Sequence, residues 1–101
     1  MNKTDHAKSC EDALGKPYTE VHDFLDQYSE RFPREQRKVY HHRQGLARVA
    51  ERFGAEAAKA ARIHVVEDVG FVPEDHTYFH TENRELIRIV ELVYGSPEQR
   101  A

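Results

Sequence analysis

The chain has 101 residues, of which 39% are hydrophobic and 33% charged, and its formal net charge is −3. This length predicts one domain with one modest core. The single cysteine, Cys10, excludes an internal disulfide and any site of clustered thiolates, which fits a reducing compartment. No stretch approaches the run of about 20 apolar residues that a membrane span needs. No secretory signal is visible either, so we expect a soluble, cytoplasmic protein without a membrane partner.

The first predicted segments are a disordered tail and one helix. Residues 1–16 are polar and almost without periodic apolar positions. Because such a segment cannot offset the entropy lost on ordering, it is predicted to be a disordered tail. From Thr19 to about Arg31, apolar residues recur at the spacing of one helical face. Pro33 then ends this helix and suits the first turn of the next one.

A second helix is predicted over about Arg34 to Arg52, with His42 on its apolar stripe. At helical spacing, His41 lies about 100° away from His42. Gly45 occupies the middle of this helix, where glycine costs about 1 kcal/mol relative to alanine. Either another backbone or a ligand comes close beside the two histidines, or the position simply tolerates glycine. The sequence leaves both explanations open.

A third, alanine-rich helix is predicted over about Ala55 to Val69, after Gly54 ends the second one. Asp68 lies within its apolar stripe and His64, one turn earlier, lies on the flank of that stripe. Glu67 points largely outward. Two ionisable groups therefore face the core from this helix.

The remaining segments are a short helical piece from Glu74 to His80 and a last helix from about Glu82 to Tyr94. Apolar residues cover more than one face of the last helix, which favours a partner chain, although a centrally packed helix would show the same pattern. We expect a homo-oligomer formed through this C-terminal helix, and a polar end at 95–101. The predicted fold class is all-α: a small helical bundle of three main helices plus a short helix and a C-terminal helix, within a helical domain at 17–94.

Ionisable side chains on these buried faces are the main functional clue. Leaving such groups unpaired in a small core costs several kcal/mol, so they are either satisfied internally or used on a ligand. His42, His64 and Asp68 would supply two nitrogens and one oxygen, a set that suits zinc or iron better than calcium or magnesium. Three protein ligands would leave a position open for water or substrate. The further candidate ligands are His41, His22 and Glu67.

An alternative interpretation needs no metal. A buried histidine paired with a buried aspartate satisfies both groups. The protein would then be a non-enzymatic interaction module with structural histidines, whose last helix binds a partner. The sequence leaves the two interpretations open, and it predicts neither a reaction nor catalytic residues.

Two further patterns are weaker. Between Arg31 and Arg52 there are seven Lys or Arg against two Glu. These charges spread around the second helix rather than along one face, so we expect ion pairs with the acidic helices and not nucleic-acid binding. The doublet His22–Asp23 is similar to the His-Asp doublet of metal-dependent phosphohydrolases. In those proteins a single histidine precedes the doublet, whereas here the doublet comes first with His41 or His42 after it, and we discount the similarity.

Two strings carry a resemblance to a known family, YHHRQG at 40–45 and IHVVEDVGFVP at 63–73. They resemble a family of small uncharacterised bacterial and phage proteins with a His-His-x-x-Gly pattern, then His-Val-x-Glu-Asp-x-Gly and a proline turn. The similarity extends over roughly Thr19 to His80; it implies an all-helical fold and supplies no activity. Tyr78 and Phe79 stand where the family usually has a tryptophan. The shared positions that it implies are His41, His42, Gly45, His64, Glu67, Asp68 and Gly70.

Overall fold

The computed structural model describes residues 3–95, which form six α-helices and one short 3-10 helix and contain no strand. The α-helices are α1 Lys3–Leu14, α2 Thr19–Leu25, α3 Arg37–Tyr40, α4 Arg43–Phe53, α5 Ala55–Val69 and α6 Arg84–Tyr94. The 3-10 helix, His76–Tyr78, lies between α5 and α6. The predicted all-α class is therefore confirmed. The polar end predicted at 95–101 lies outside the described residues except for Gly95.

Helix ends agree best with prediction where the local capping signals are strong. The third predicted helix, α5, has the expected bounds because Gly54 and Gly70 take the positive φ angles of 98° and 100° that suit glycine at a helix boundary. Asn83 caps α6 by accepting a hydrogen bond from the Leu86 amide at 3.2 Å. The short piece expected from Glu74 is reduced to the single turn of 3-10 helix.

The first two predicted helices are shorter than expected. The first one, α2, ends at Leu25, and the chain continues through turns to α3. The second one is divided into α3 and α4, because His42 adopts an extended conformation with φ −162° and ψ 179°. The spacing of apolar residues in the sequence does not reveal a single extended residue, because the apolar positions before and after it still follow a helical period.

The prediction of a disordered tail over residues 1–16 is wrong for Lys3–Leu14, which forms α1. His6 and Cys10 are at most 1% exposed, so this helix is packed against the rest of the protein. The Cys10 thiol donates to the carbonyl of Ala60 in α5 at 3.7 Å. The buried face of α1 thus mixes polar groups with few apolar ones, so its sequence shows no regular apolar period.

The core is built around α5, which packs against α1, α2 and α4. The first half of its buried face is alanine, with Ala57, Ala60 and Ala61 at 0–3% exposure. These small side chains leave room for the neighbouring helices. In the second half, His64 and Asp68 take the place of apolar residues, so that one end of the core is polar.

α6 buries Leu86 and Val90, while Leu92 is 78% exposed. Self-association through this helix stays a prediction. Among the described residues, no helix combines the length and the apolar character that crossing a membrane requires.

Candidate metal centre

Four side chains meet at the polar end of the core. Asp26, His41, His64 and Asp68 each contribute one ligand atom, and these atoms all lie within 4.8 Å of one another. Both histidine side chains are fully buried, and the Asp68 and Asp26 side chains are 10% and 26% exposed. The group is therefore shielded from solvent on most sides and is most open at Asp26.

Asp26 is placed by the end of α2. It is the C-cap residue, and its backbone amide donates to the carbonyl of His22 at 3.1 Å. Its carboxylate Oδ1 accepts a hydrogen bond from Nε2 of the buried Gln36 at 3.1 Å. Both contacts orient the carboxylate toward the interior.

His41 is placed by the break between α3 and α4. The next residue, His42, caps α4: its Nδ1 accepts from the Gly45 amide at 3.3 Å, and its Nε2 donates to the Lys38 carbonyl at 2.8 Å. A Cβ atom at Gly45 would lie 1.8 Å from the Tyr40 carbonyl oxygen, so only glycine fits there. Of the two explanations left open for Gly45, the structure supports a close approach, and the approaching group is the Tyr40 backbone.

His64 and Asp68 come from α5. They are four residues apart and therefore project from the same face of the helix, with His64 Nε2 3.4 Å from Asp68 Oδ2. The predicted inward orientation of both side chains is confirmed. These two side chains form one half of the group. The other half is Asp26, at the C-cap of α2, and His41, between α3 and α4.

Five of the six separations between the four ligand atoms are 3.2–3.4 Å, and the sixth, between the two aspartates, is at most 4.8 Å. His41 Nε2 lies 3.2 Å from His64 Nε2, 3.4 Å from Asp26 Oδ1 and 3.3 Å from Asp68 Oδ2. His64 Nε2 lies 3.4 Å from each of the two carboxylate oxygens. Zinc–ligand bonds of about 2.0–2.1 Å give a tetrahedron with edges of about 3.3–3.4 Å. Octahedral coordination at the same bond lengths would bring neighbouring ligand atoms to about 2.9 Å.

A hydrogen-bond chain sets the orientation of the His64 ring. His22 Nε2 lies 3.0 Å from the Pro17 carbonyl oxygen, which can only accept, so Nε2 carries the proton. Burial, followed by the nearby His64, lowers the pKa of His22 to about 4 and keeps its ring neutral. His22 Nδ1 is then an acceptor, and His64 Nδ1, 2.9 Å away, donates to it. The other nitrogen, His64 Nε2, is left to face the two carboxylates and His41.

The negative charge of the two carboxylates in this group can be balanced in two ways. Burial alone would lower the pKa values of His41 and His64, but hydrogen bonds to Asp26 and Asp68 outweigh it and hold both pKa values above the usual range. Burial alone would raise the pKa values of the two aspartates, but the same contacts hold them well below the usual range. Protonation of both imidazoles would balance the charge of the two carboxylates. One divalent cation on two neutral imidazoles gives the same total charge.

The structure brings some of the predicted ligands together and separates others. His64, Asp68 and His41 lie in the group, whereas His42, predicted as a principal ligand, lies outside it and uses both ring nitrogens to cap and anchor α4. Burial lowers the pKa of His42 to about 4, although the hydrogen bond to the Lys38 carbonyl acts in the opposite direction. The remaining two predicted ligands contact the group from outside: His22 through His64, and Glu67 through α1.

Sequence reasoning missed Asp26 and His6. Asp26 lies beyond the end of α2, where a helical period no longer indicates direction, although it follows His22 by four residues. His6 lies in the segment predicted to be disordered, yet its Nε2 is 3.3 Å from Asp68 Oδ1. The sequence offered one signal for this segment: His6 and Ser9 are three residues apart and so lie on one face of a helix. Both side chains contact Glu67.

Comparisons with protein-family models, with curated proteins and with solved structures gave no match. The resemblance to small bacterial and phage proteins therefore stays a prediction. Function has to be argued from the geometry of the site.

Proposed function

We propose that this protein binds a divalent transition metal, zinc before iron, through Asp26, His41, His64 and Asp68. The observation that carries the proposal is the set of five separations of 3.2–3.4 Å between ligand atoms, which fit the edges of a tetrahedron around zinc. Two imidazoles and two carboxylates also form a donor set that zinc and iron accept.

The surroundings support the same ligand roles. Histidines that bind metal commonly donate their other ring N–H to a protein acceptor, which fixes the ring and its tautomer. His64 has this arrangement, because its Nδ1 donates to His22 and its Nε2 faces the two aspartates. The Gln36 amide holds Asp26 in a similar way. A tetrahedral ion with four protein ligands has no open position, so these four residues alone imply metal binding and not a reaction.

Elemental analysis of tag-free protein tests the proposal. After loading with zinc and removal of excess metal, we expect about one equivalent of zinc per chain. Iron added in competition with zinc should bind to a smaller extent. His41→Ala and His64→Ala should each lose the metal, because each removes one of the four ligands. His80→Ala is the matched control, since His80 is an exposed histidine outside the group.

The competing function is an interaction module in which the four side chains serve only the fold. In that case His41 and His64 would stay protonated between the aspartates, and added zinc would leave the melting temperature unchanged. A ligand that binds only the folded state raises the melting temperature as its concentration increases. A zinc titration of the wild-type protein, with His80→Ala and His64→Ala measured in parallel, therefore separates the two functions.

A further inference from the structure

His6 contacts the metal centre from α1. Its side chain is 1% exposed, and its ring lies over the ring of His64 with a centroid distance of 3.8 Å and an angle of 30° between the planes. Its Nδ1 lies 3.0 Å from Glu67 Oε1, and Ser9 Oγ donates to Glu67 Oε2 at 2.6 Å. The ring is thus held on one edge by a carboxylate that is itself fixed by a hydroxyl group.

These contacts determine which nitrogen of His6 is available to a cation. A carboxylate can only accept, so Nδ1 donates to Glu67, and Nε2 on the other edge of the ring is the nitrogen that can bind either a proton or a metal ion. That Nε2 is buried without a hydrogen-bond partner, and it lies 3.3 Å from Asp68 Oδ1. Either a proton or a metal ion between this nitrogen and the carboxylate oxygen would satisfy both atoms. A carboxylate–histidine pair with a free Nε2 is also the arrangement in which histidines commonly bind metal.

Asp68 connects His6 to the four-ligand group. Its Oδ2 faces His41 and His64 at 3.3 and 3.4 Å, while its Oδ1 faces His6. A carboxylate with nitrogen ligands beside both oxygens can chelate one ion or bridge two ions. The bridged arrangement, with ions about 3.5–4 Å apart, is a common construction of two-metal sites.

We propose that His6 is a further metal ligand, whose Nε2 binds a divalent cation on the Oδ1 side of Asp68. The inference rests on the proposed function, because Asp68 is shared with the four-ligand group. Two arrangements use the same ligand atoms of His6 and Asp68. The cation is either the ion of the four-ligand group, whose shell then has a fifth ligand, or a second ion beside it. In both arrangements α1 supplies part of the metal shell.

NMR of the cadmium-loaded protein tests this directly. The wild-type chain, with isotopically labelled histidine and an NMR-active cadmium isotope, should show one-bond cadmium–nitrogen coupling at Nε2 of three histidines: His6, His41 and His64. Coupling at His41 and His64 alone would overturn the inference and leave the proposed function intact. Absence of coupling at every histidine would overturn both. The measurement needs no variant, so it does not depend on whether a mutated α1 still folds.

The variant His6→Gln distinguishes a ligand from a residue that only positions Asp68. Glutamine keeps a hydrogen-bond donor near Asp68 but is a poor ligand for these metals. We expect His6→Gln to lose the second cadmium equivalent if there are two ions, or to bind the single ion at least about tenfold more weakly. Unchanged stoichiometry together with affinity within twofold of the wild type would contradict a ligand role. The matched control is His80→Gln, which should bind cadmium as the wild type does.

Discussion

The substitution Gly45→Ala sets two known effects against each other. Gly45 is the third residue of α4, and alanine is favoured over glycine within a helix by up to about 1 kcal/mol, so an unobstructed position would become more stable. The structure predicts the opposite result. The new Cβ would lie 1.8 Å from the Tyr40 carbonyl oxygen, whereas ordinary contacts begin at 3.4 Å, so the two backbone segments must separate by roughly 1.6 Å.

Because the obstructing atom belongs to the backbone, no rotamer change relieves the clash. Overpacking costs about 1–3 kcal/mol, and we take the upper end of this range, which leaves a net loss of about 2 kcal/mol in the free energy of unfolding. Since His41 follows Tyr40 directly, zinc binding should weaken as well. Urea denaturation and zinc titration of Gly45→Ala measure both effects.

Ala47→Gly calibrates the propensity effect in the same helix, because Ala47 is exposed on α4, and it should lose about 1 kcal/mol without losing zinc. An increase in the stability of Gly45→Ala would refute the reasoning. It would mean that helix propensity decides the result and that Tyr40 does not press against this position.

Three further predictions concern the cap residue His42, the pH dependence of the two site histidines, and the buried thiol of Cys10. His42→Ala should cost about 1 kcal/mol in urea denaturation, because α4 loses its cap, yet keep its zinc in elemental analysis, whereas His41→Ala should lose it. Without metal, the raised pKa values of His41 and His64 stabilise the fold fully below the unfolded value of 6.5 and lose this effect as pH rises past the folded values, while the lowered pKa values of His22 and His42 act in the opposite direction. Lowering the pH from about 8 to about 6 should therefore favour the wild-type fold more than it favours the fold of His41→Ala, as measured by the change in melting temperature. Zinc should stabilise the wild type more at pH about 8 than at about 6, since it binds neutral imidazoles. Burial, followed by the nearby Glu67, raises the pKa of Cys10 to about 11, so its thiol should resist a disulfide reagent at pH about 8 until the protein unfolds; reaction at the rate of a free thiol would mean that α1 is not docked.

Sequence reasoning succeeded where a helix has an unbroken period and clear caps. The bounds of α5 and the inward direction of His64 and Asp68 follow from its regular apolar face between two glycines. These features of α5 depend on the local chain and on helical geometry alone. For Gly45 the sequence left a close approach and simple tolerance of glycine open, and the contact with Tyr40 decides between them.

The remaining ligands depend on contacts between segments that are distant in the chain. Treating Arg34 to Arg52 as one continuous helix placed His42 inward, but a single extended residue divides that helix and turns His41 into the site instead. Asp26 follows the last residue of α2, where no period applies. α1 contacts Glu67 through His6 and Ser9 and adds Cys10 and Leu14 to the core, and these apolar positions are too few to give a hydrophobic pattern.

The most direct test of the metal centre is a crystal structure of the zinc-loaded protein with anomalous data collected on both sides of the zinc absorption edge. We predict a zinc peak about 2.0–2.1 Å from His41 Nε2, His64 Nε2, Asp26 Oδ1 and Asp68 Oδ2. A map with no zinc peak among these four atoms, in crystals of protein that was loaded with zinc, would contradict the account.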